Sequence, residues 1–533
     1  MAIVERLRAY KYALDPTLAQ RARLEQCAGA ARHAHNLLVA ENRARGDRYR
    51  LLRDHLVTLG RTPAQIKTDL RQHDLEHPEE PVHPISYQAY ATRYLTGMIA
   101  GHRDAAARIA AGERPEDAWN NDRFDEPWMH EISRRVHVSG LQHADAAVKN
   151  WFASLTGARK GRRVGEPRFK KKGQSRDSFT IPSPEAMGPR SRYHRGLDER
   201  RGQISDYRHV RLASLGTLRT HDTTKRLVRA LDRGAALRSF TVSRSGTRWY
   251  VSLLTAENVP EAQPTHAQHV AGVVGVDVGV KVQAALSTGE LVDNVRPGAR
   301  AAKRITRLQR AIARCEKGSR RQQMLYRRLA AAQHHVAQQR ATAQHALTKR
   351  LATTFEHVAI ENLNVAGMSS SACGTLEQPG CNVRQKAGLN RAILDVGFGE
   401  IRRQLDYKTS WYGSQLHVID RYLPSSKTCH ACGTVKATLS LRERVFVCEC
   451  GWREDRDVNA AMNIAAFAVP GSTDTGHLAA GRAERRNGRG DRAAAPPLGV
   501  FSGTVDDASR PLHREGPPAG SDPDLFPHAT RTR

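Results

Sequence analysis

The chain has 533 residues, enough for roughly two to four domains and a sizeable buried core. Lysine and arginine outnumber aspartate and glutamate by 84 to 54, and the resulting +30 formal charge favours a polyanionic partner. No run approaches the ~18 apolar residues of a membrane span, the first fifteen residues lack the apolar core of a signal peptide, and eight cysteines in this length do not make a disulfide scaffold.

Residues 3–14 alternate loosely and predict a strand. Asp15-Pro16-Thr17 reads as a helix start, with a capping side chain and then proline in the first turn. Helical spacing follows over 17–42 through Leu18, Leu24, Cys27, Ala31, Leu37 and Leu38. Residues 43–150 are polar and charged with helical patterning, and Trp128, Ile132, Val136, Leu141, Val148, Trp151 and Phe152 form apolar stripes. This predicts a helical insert joined to the opening strand.

Residues 159–173 are crowded with cations against a single acid, Glu166, and their glycines and proline exclude a helix. An aromatic residue among the cations suits a loop that touches phosphates and bases, so Arg168, Phe169, Lys170, Lys171 and Lys172 are contact candidates. Residues 178–182 and 203–255 read as strands. Ser239 to Leu254 alternates on both arms around a Ser-Gly turn, as a hairpin does. With the opening strand these segments are expected to close one small barrel, and 256–270 reads as a linker.

Gly272 to Val280 is a run of small and β-branched residues with one carboxylate, Asp277, in its middle. An acid in a strand that is apolar on both faces needs its charge offset, and a metal ion does this. An antiparallel strand is expected over Val282 to Ser287. Residues 298–355 predict a long helical hairpin broken at Lys317-Gly-Ser. From 301 to 350 there are 13 bases against one acid, Glu316, where a surface helix usually mixes signs. That bias suits a rail along a phosphate backbone, with Arg304, Arg307 and Arg310 as candidates; a coiled-coil partner is the alternative.

A strand ending in Glu361 follows, then a Ser-, Gly- and Cys-rich loop over 369–388, a helix over 389–412 and a strand over 414–421. Asp457-Val-Asn-Ala-Ala-Met-Asn-Ile begins a helix with acids at its positive end. From 470 onward 17 of 64 residues are Gly or Pro, a fraction in the disordered range, so 470–533 is expected to lie outside the fold.

Cys429-His-Ala-Cys432-Gly and Cys448-Glu-Cys450-Gly are two tight pairs, each followed by the glycine that lets a knuckle turn both sulfurs inward. Four thiolates complete one tetrahedral Zn²⁺ and leave no open position, so the site reads as structural and His430 as a spare. The second pair has one spacer residue, shorter than the usual two. Asp277, Glu361 and an acid at 455 or 457 form a second set. Hydrolysis of a phosphodiester by two Mg²⁺ ions needs carboxylates that bridge and flank the metals. Each acid alone reads as an ion pair or a helix cap; the set, in a chain this basic, points to the metals.

The order Gly-Val-Asp277-Val-Gly, Ile-Glu361-Asn-Leu, the two cysteine pairs and Asp455-Arg-Asp457-Val-Asn-Ala-Ala-Met-Asn-Ile strongly resembles the TnpB family, transposon-encoded RNA-guided nucleases related to type V CRISPR effectors. Tyr10-Lys-Tyr-Ala-Leu-Asp-Pro-Thr-Leu-Ala-Gln20, Pro127-Trp128 and Gly165-Glu-Pro-Arg-Phe-Lys-Lys-Lys-Gly173 extend the resemblance, which covers most of residues 1–468. It implies an α/β plus β-barrel architecture: a wedge-type barrel over 1–16 and 155–262, carrying a helical recognition insert over 17–154. A RuvC-type, RNase H-like nuclease would follow over 263–424, a zinc ribbon over 425–454 and the last nuclease motif over 455–469. It implies Asp277, Glu361 and Asp457 as catalytic ligands of two Mg²⁺. Asp457 is chosen because the acid directly before x-Asn-Ala matches related motifs, with Asp455 as the fallback. It further implies a guide RNA from the transposon end, a double-stranded DNA target cut beside a short adjacent motif, a monomer, and a cytoplasmic, nucleoid-associated place in a prokaryote. The competing functions are a cleavage-inactive guided regulator and a transposition accessory protein.

Overall fold

Alternation in the opening residues produces β1 (Ile3–Asp15), which buries Tyr10, Tyr12 and Leu14. The computed structural model describes residues 2–114, 132–159, 163–182, 206–212, 215–375, 377–440 and 443–468. These fall into two units, one of residues 5–259 and one from residue 260 onward together with the opening residues. Trp128 and the segment 470–533 lie outside the described residues.

In the first unit, Thr17 caps α1 (Leu18–Thr58). Its hydroxyl accepts from the Gln20 amide at 3.3 Å, and Gln20 Oε1 accepts from the Thr17 amide at 3.1 Å. The helix therefore starts later than Asp15-Pro16 suggested: Asp15 ends the strand and Pro16 precedes the cap. Leu18, counted in the apolar stripe, is 85% exposed. The helix runs on past 42 because Tyr49 and Leu56 give its last turns a buried face. Next come α2 (Pro63–Glu76), α3 (Tyr87–Ala110) and α4 (Arg134–Leu155). A Cβ on Gly140 of α4 would stand 2.1 Å from the Ala31 carbonyl oxygen, so α1 and α4 meet backbone to backbone.

The strands β2 (Ser178–Pro182), β3 (His209–Leu212), β4 (Gly216–Thr220), β5 (Ala236–Ser245) and β6 (Arg248–Pro260) join β1 in a six-stranded sheet of order β2-β5-β6-β1-β4-β3. The sheet curls as a half-barrel, and its two edge strands, β2 and β3, do not pair with each other. The expected closed barrel is therefore open among the described residues. The β5–β6 hairpin is where its alternation placed it. Between β4 and β5 lies α5 (Lys225–Asp232), inside a stretch read as strand. Its buried Leu227, Val228 and Leu231 have helical spacing over only two turns, too short for a period to stand out.

The second unit opens with α6 (His266–Ala271), capped by Thr265, within the segment read as a linker. Gln268 is buried there because its amide donates to the carbonyls of Ala352 (3.0 Å) and Tyr412 (3.2 Å). Five strands follow: β7 (Val273–Asp277), β8 (Val282–Leu286), β9 (Leu291–Asp293), β10 (His357–Glu361) and β11 (Gln415–Ile419). Their order is β11-β10-β7-β8-β9, with β10 parallel to both neighbours and β8 antiparallel to β7 and β9. The basic hairpin is α7 (Pro297–Ala313) and α8 (Arg320–Thr354), broken around Gly318 as expected.

After the short α9 (Val365–Met368), the single helix expected over 389–412 is two. They are α10 (Val383–Val396) and α11 (Phe398–Tyr412), parted at Gly397, whose φ of +74° is left-handed. One sheet face, through Val274, Val276, Val358 and Ile360, packs on Leu347 and Leu351 of α8, Ile393 of α10, and Ile401 and Leu405 of α11. The last helix, α12 (Arg456–Ala468), packs on β7 and touches β8, β10 and β11. No helix among the described residues is long and apolar enough to cross a membrane.

Candidate active site and metal centre

Strand alternation decides where the acids point. Val274, Val276, Val358 and Ile360 face the large apolar core, so Gly275 and Asp277 of β7, and Ala359 and Glu361 of β10, face the other way. Ala359 packs there with Ile419 and with Ile464 of α12. The parallel register pairs Val276 with Ile360, so Asp277 and Glu361 sit at neighbouring strand ends, on the carboxyl edge where open α/β sheets bind ligands. A Cβ on Gly275 would lie 1.9 Å from the Ala461 carbonyl oxygen and 2.6 Å from the Ala465 amide nitrogen. Only glycine lets α12 approach that closely, and the approach brings the first turn of α12 to the acids.

In that turn the two candidate aspartates divide. Asp455 Oδ1 accepts from the backbone amides of Asp457 (2.9 Å) and Val458 (3.3 Å), so Asp455 caps the helix. Asp457, half-buried, lines a cleft of about 730 Å³ together with Asp277, Lys281, Arg296, Arg444 and Arg456. Its carboxylate lies 3.4 Å from the Arg456 guanidinium. Burial pushes the Asp277 carboxyl up to about 7; the charges of Glu361, Asp457 and, least, Asp455 push the same way, and Arg456 pulls it back. Glu361 Oε1 accepts a short hydrogen bond from Ser425 Oγ. Asp395, also on the cleft, accepts from the Gly298 and Ala299 amides and from Arg340, which fixes the start of α7.

The four cysteine sulfurs gather within 4.8 Å of one another, with Cys429–Cys450 at 3.6 Å and Cys432–Cys448 at 3.5 Å. Zn–S bonds of ~2.3 Å in a tetrahedron put sulfurs about 3.8 Å apart, so the set fits one zinc ion. The short second spacer does not disturb the convergence: Gly451, with φ +90°, donates back to the Cys448 carbonyl at 3.0 Å and closes the knuckle. Among the described residues this is the one set of three or more Cys, His or acidic groups drawn to a point. His430 takes no part in it; its ring lies beside Trp452, and Nδ1 is 3.3 Å from Asn463 Oδ1.

The ribbon is bolted to α12 by two buried amides. Asn459 donates to the Thr428 carbonyl (2.8 Å) and accepts from the His430 amide (3.1 Å) and Trp452 Nε1 (3.2 Å). Asn463 donates to the carbonyls of Ser425 (2.8 Å) and Thr428 (2.7 Å). Reading the sequence for carboxylates and thiols passes over these residues and Ser425. The available signal was two asparagines four apart in an otherwise apolar helix, which a buried face keeps only if both are satisfied.

The nucleic-acid candidates take two forms. Arg304, Arg307 and Arg310 are exposed along α7, with no side-chain hydrogen bond or ion pair among the described residues. The loop at 166–170 is instead docked on α1. Asn36 bonds both backbone groups of Lys170 (2.7 and 2.9 Å), and Arg43 donates to the Pro167 carbonyl at 2.6 Å. The Arg43 guanidinium also lies 4.6 Å from the centre of the Phe169 ring, which stays 44% exposed. Arg168, Lys171 and Lys172 are exposed and Lys170 is half-buried.

Three family models match the chain. Residues 255–372 match "Probable transposase" of the OrfB/IS605 type, residues 398–464 match "Cas12f1-like, TNB domain", and residues 1–49 match the "Helix-turn-helix domain" of the same OrfB family. The last name does not describe this fold, where one strand leads into one uninterrupted helix. A Mycobacterium tuberculosis H37Rv protein, "Putative RNA-guided DNA endonuclease Rv2885c", is 35% identical over 383 residues, spanning 69% of this chain and 76% of its own. InsQ of Escherichia coli K12, a protein named in the same terms, is 33% identical over 349 residues, 65% of this chain and 77% of its own. A Cas12f1–sgRNA–target DNA complex overlaps 86% of this chain and 99% of its own at 12% identity and a TM-score of 0.37. A mixed α/β chain with a curled half-barrel sheet and a four-cysteine cluster that fits a structural zinc defines the class. Within it, this chain belongs to the OrfB/IS605 family, the TnpB family, with a Cas12f-like zinc domain.

Proposed function

We propose that the chain is an RNA-guided DNA endonuclease of a mobile element, which cuts DNA at a single two-metal site built on Asp277, Glu361 and Asp457. The observation that carries this is that the three acids share one edge and one face of the sheet, with Asp277 and Asp457 lining the same cleft. Two neighbouring strand ends and the first turn of α12 direct them to one face of the sheet, beside a cleft rimmed by cations. Numbered within the unit, the strand order is 3-2-1-4-5, which suits an RNase H-like nuclease interrupted by the ribbon. The names of the relatives support the guided reading.

The donors fit hard cations. A half-buried carboxyl that burial and three like charges hold near pH 7 is relieved when a divalent ion neutralises the group. Bound there, two Mg²⁺ would activate the attacking water and steady the leaving 3′ oxygen. Asp277, on the central strand, would hold the ions together with Glu361 and Asp457. Lys281, Arg296 and Arg444 would hold the phosphate backbone at the cleft, and Arg304, Arg307 and Arg310 would extend that contact along α7. The first unit would hold guide RNA and read the DNA beside the target, with Arg168, Phe169 and Lys170–Lys172 on a pre-ordered loop.

The test is purification from cells carrying the flanking locus, sequencing of the bound RNA, and cleavage of a plasmid library with randomised flanks. Guided cleavage with Mg²⁺ that is lost in Asp277→Ala is expected. Absence of bound RNA would sink the guided reading, and cleavage unchanged by Asp277→Ala would sink the site.

A further inference from the structure

We propose that Ser425, at the root of the zinc ribbon, is the positioning residue that sets the Glu361 carboxylate for metal binding. The inference rests on the two-metal reading of the acids and names a part of that site which the acids themselves do not reveal.

Ser425 is buried, and its hydroxyl proton is donated to Glu361 Oε1. Among the described residues Glu361 Oε2 has no hydrogen-bond partner. One oxygen is therefore pinned and the other left open, which fixes the carboxylate plane and the direction of the remaining lone pairs. Glu361 closes β10 and its side chain has free rotation about three bonds, so without a donor it would lose its aim and gain rotamer entropy.

Ser425 is itself held in place. Its carbonyl accepts from Asn463 Nδ2 on α12 at 2.8 Å, and its amide donates to the Leu423 carbonyl at 2.9 Å. Asn463 also bonds the Thr428 carbonyl, one residue before the first cysteine. A continuous chain of hydrogen bonds thus runs from the ribbon through α12 to an acid on a different strand. Ser425 is the one residue in it that touches Glu361. The ribbon supplies no group to the chemistry but sets the aim of one that does.

The test compares Ser425→Ala and Ser425→Thr with the parent full-length protein and its RNA. The readouts are Mn²⁺ affinity by electron paramagnetic resonance, the Mg²⁺ dependence of cleavage, zinc content and thermal midpoint. Loss of a partner that orients a metal-bound carboxylate weakens metal affinity by about 10–100-fold. The expected result for Ser425→Ala is a shift of that size in the Mn²⁺ dissociation constant, with cleavage recovered by raising Mg²⁺, zinc content unchanged, and recovery of affinity in Ser425→Thr. An unchanged Mn²⁺ affinity in Ser425→Ala overturns the proposal. If that variant loses zinc or stability, a double-mutant cycle with Glu361→Ala on the thermal midpoint decides. A Ser425 effect that is the same with and without the carboxylate overturns the proposal, and one that shrinks supports it. Failure of the two-metal reading is distinguishable, since it would appear as Asp277→Ala cleaving normally whatever Ser425 does.

Discussion

Gly275→Ala tests whether the approach of α12 to β7 assembles the acids. The added Cβ would stand 1.9 Å from the Ala461 carbonyl oxygen and 2.6 Å from the Ala465 amide, both backbone atoms of a helix that cannot turn them aside. Carbon–oxygen contacts below 3.0 Å essentially do not occur, so α12 must retreat by roughly 1 Å or more. Overpacking of this kind costs about 1–3 kcal/mol, and here the upper end applies because neither partner is a side chain. For a unit of this size that is a loss of about 5–10 °C in thermal midpoint. The functional cost is larger. In the proposed site Asp457 works from the first turn of α12, and a ~1 Å misplacement there costs about 100-fold in rate. The assay is guided plasmid cleavage in Mg²⁺ under single-turnover conditions, beside a thermal melt. Gly399→Ala is the control: no atom lies within 4 Å of its added Cβ, and it belongs to a helix where alanine is preferred. Gly275→Ala with parental cleavage and midpoint would refute the reasoning, because the acids would then not depend on the depth of that contact.

The remaining predictions concern other parts of the two units. Asp457→Ala is expected to abolish cleavage, whereas Asp455→Ala should lose a helix cap, about 0.5–2 kcal/mol, and keep most of its activity; equal losses in the two would contradict the division of labour. Stripping the ribbon's zinc is expected to stop cleavage in a way that added Zn²⁺ restores and added Mg²⁺ does not, because Asn459 and Asn463 then lose the carbonyls that hold α12. Asn459→Ala should cost about 2–3 kcal/mol, since it strands two donors, the His430 amide and Trp452 Nε1, while the Thr428 carbonyl keeps Asn463; a midpoint within 2–3 °C of the parent would count against the network. In the first unit, burial and nearby Lys170 lower His35 to about 3 and His143 to about 4. Both histidines are neutral when folded and protonate near 6.5 when unfolded, so the stability they contribute is present above pH 6.5 and is lost as pH falls toward 4. Urea midpoints measured from pH 7 to 4 should show that loss, and His35→Gln should flatten it; an unchanged slope in the variant would place the acid sensitivity elsewhere.

Legibility followed how locally each feature is encoded. The four cysteines, the β5–β6 hairpin, β7 with its acid, and the break near Gly318 rest on spacings of a few residues. A linear reading sees those, because knuckles, hairpins and helix breaks are set by neighbours in sequence. The cap at Thr17, the short α5 and the split at Gly397 were misread or passed over. Each depends on which of several permitted local signals the surrounding core selects.

The acids show both sides of this. The sequence by itself determined that Asp277, Glu361 and an acid at 455 or 457 were unusual, since a carboxylate beside β-branched residues has a desolvation cost to offset. It could not decide which of Asp455 and Asp457 faces the cleft, because both lie in one turn and both suit a helix start. In the folded chain Asp455 caps the helix through the amides two and three residues on, and the packing of α12 on the sheet leaves Asp457 lining the cleft beside Asp277. Tertiary structure alone also placed Asp277 and Glu361, 84 positions apart in the chain, on one face of neighbouring strands, because pairing register is set by partners distant in sequence. The same holds for Gly275 and Ser425. One is an absent side chain and the other a common hydroxyl, and neither has meaning until α12 and the ribbon are laid against the sheet.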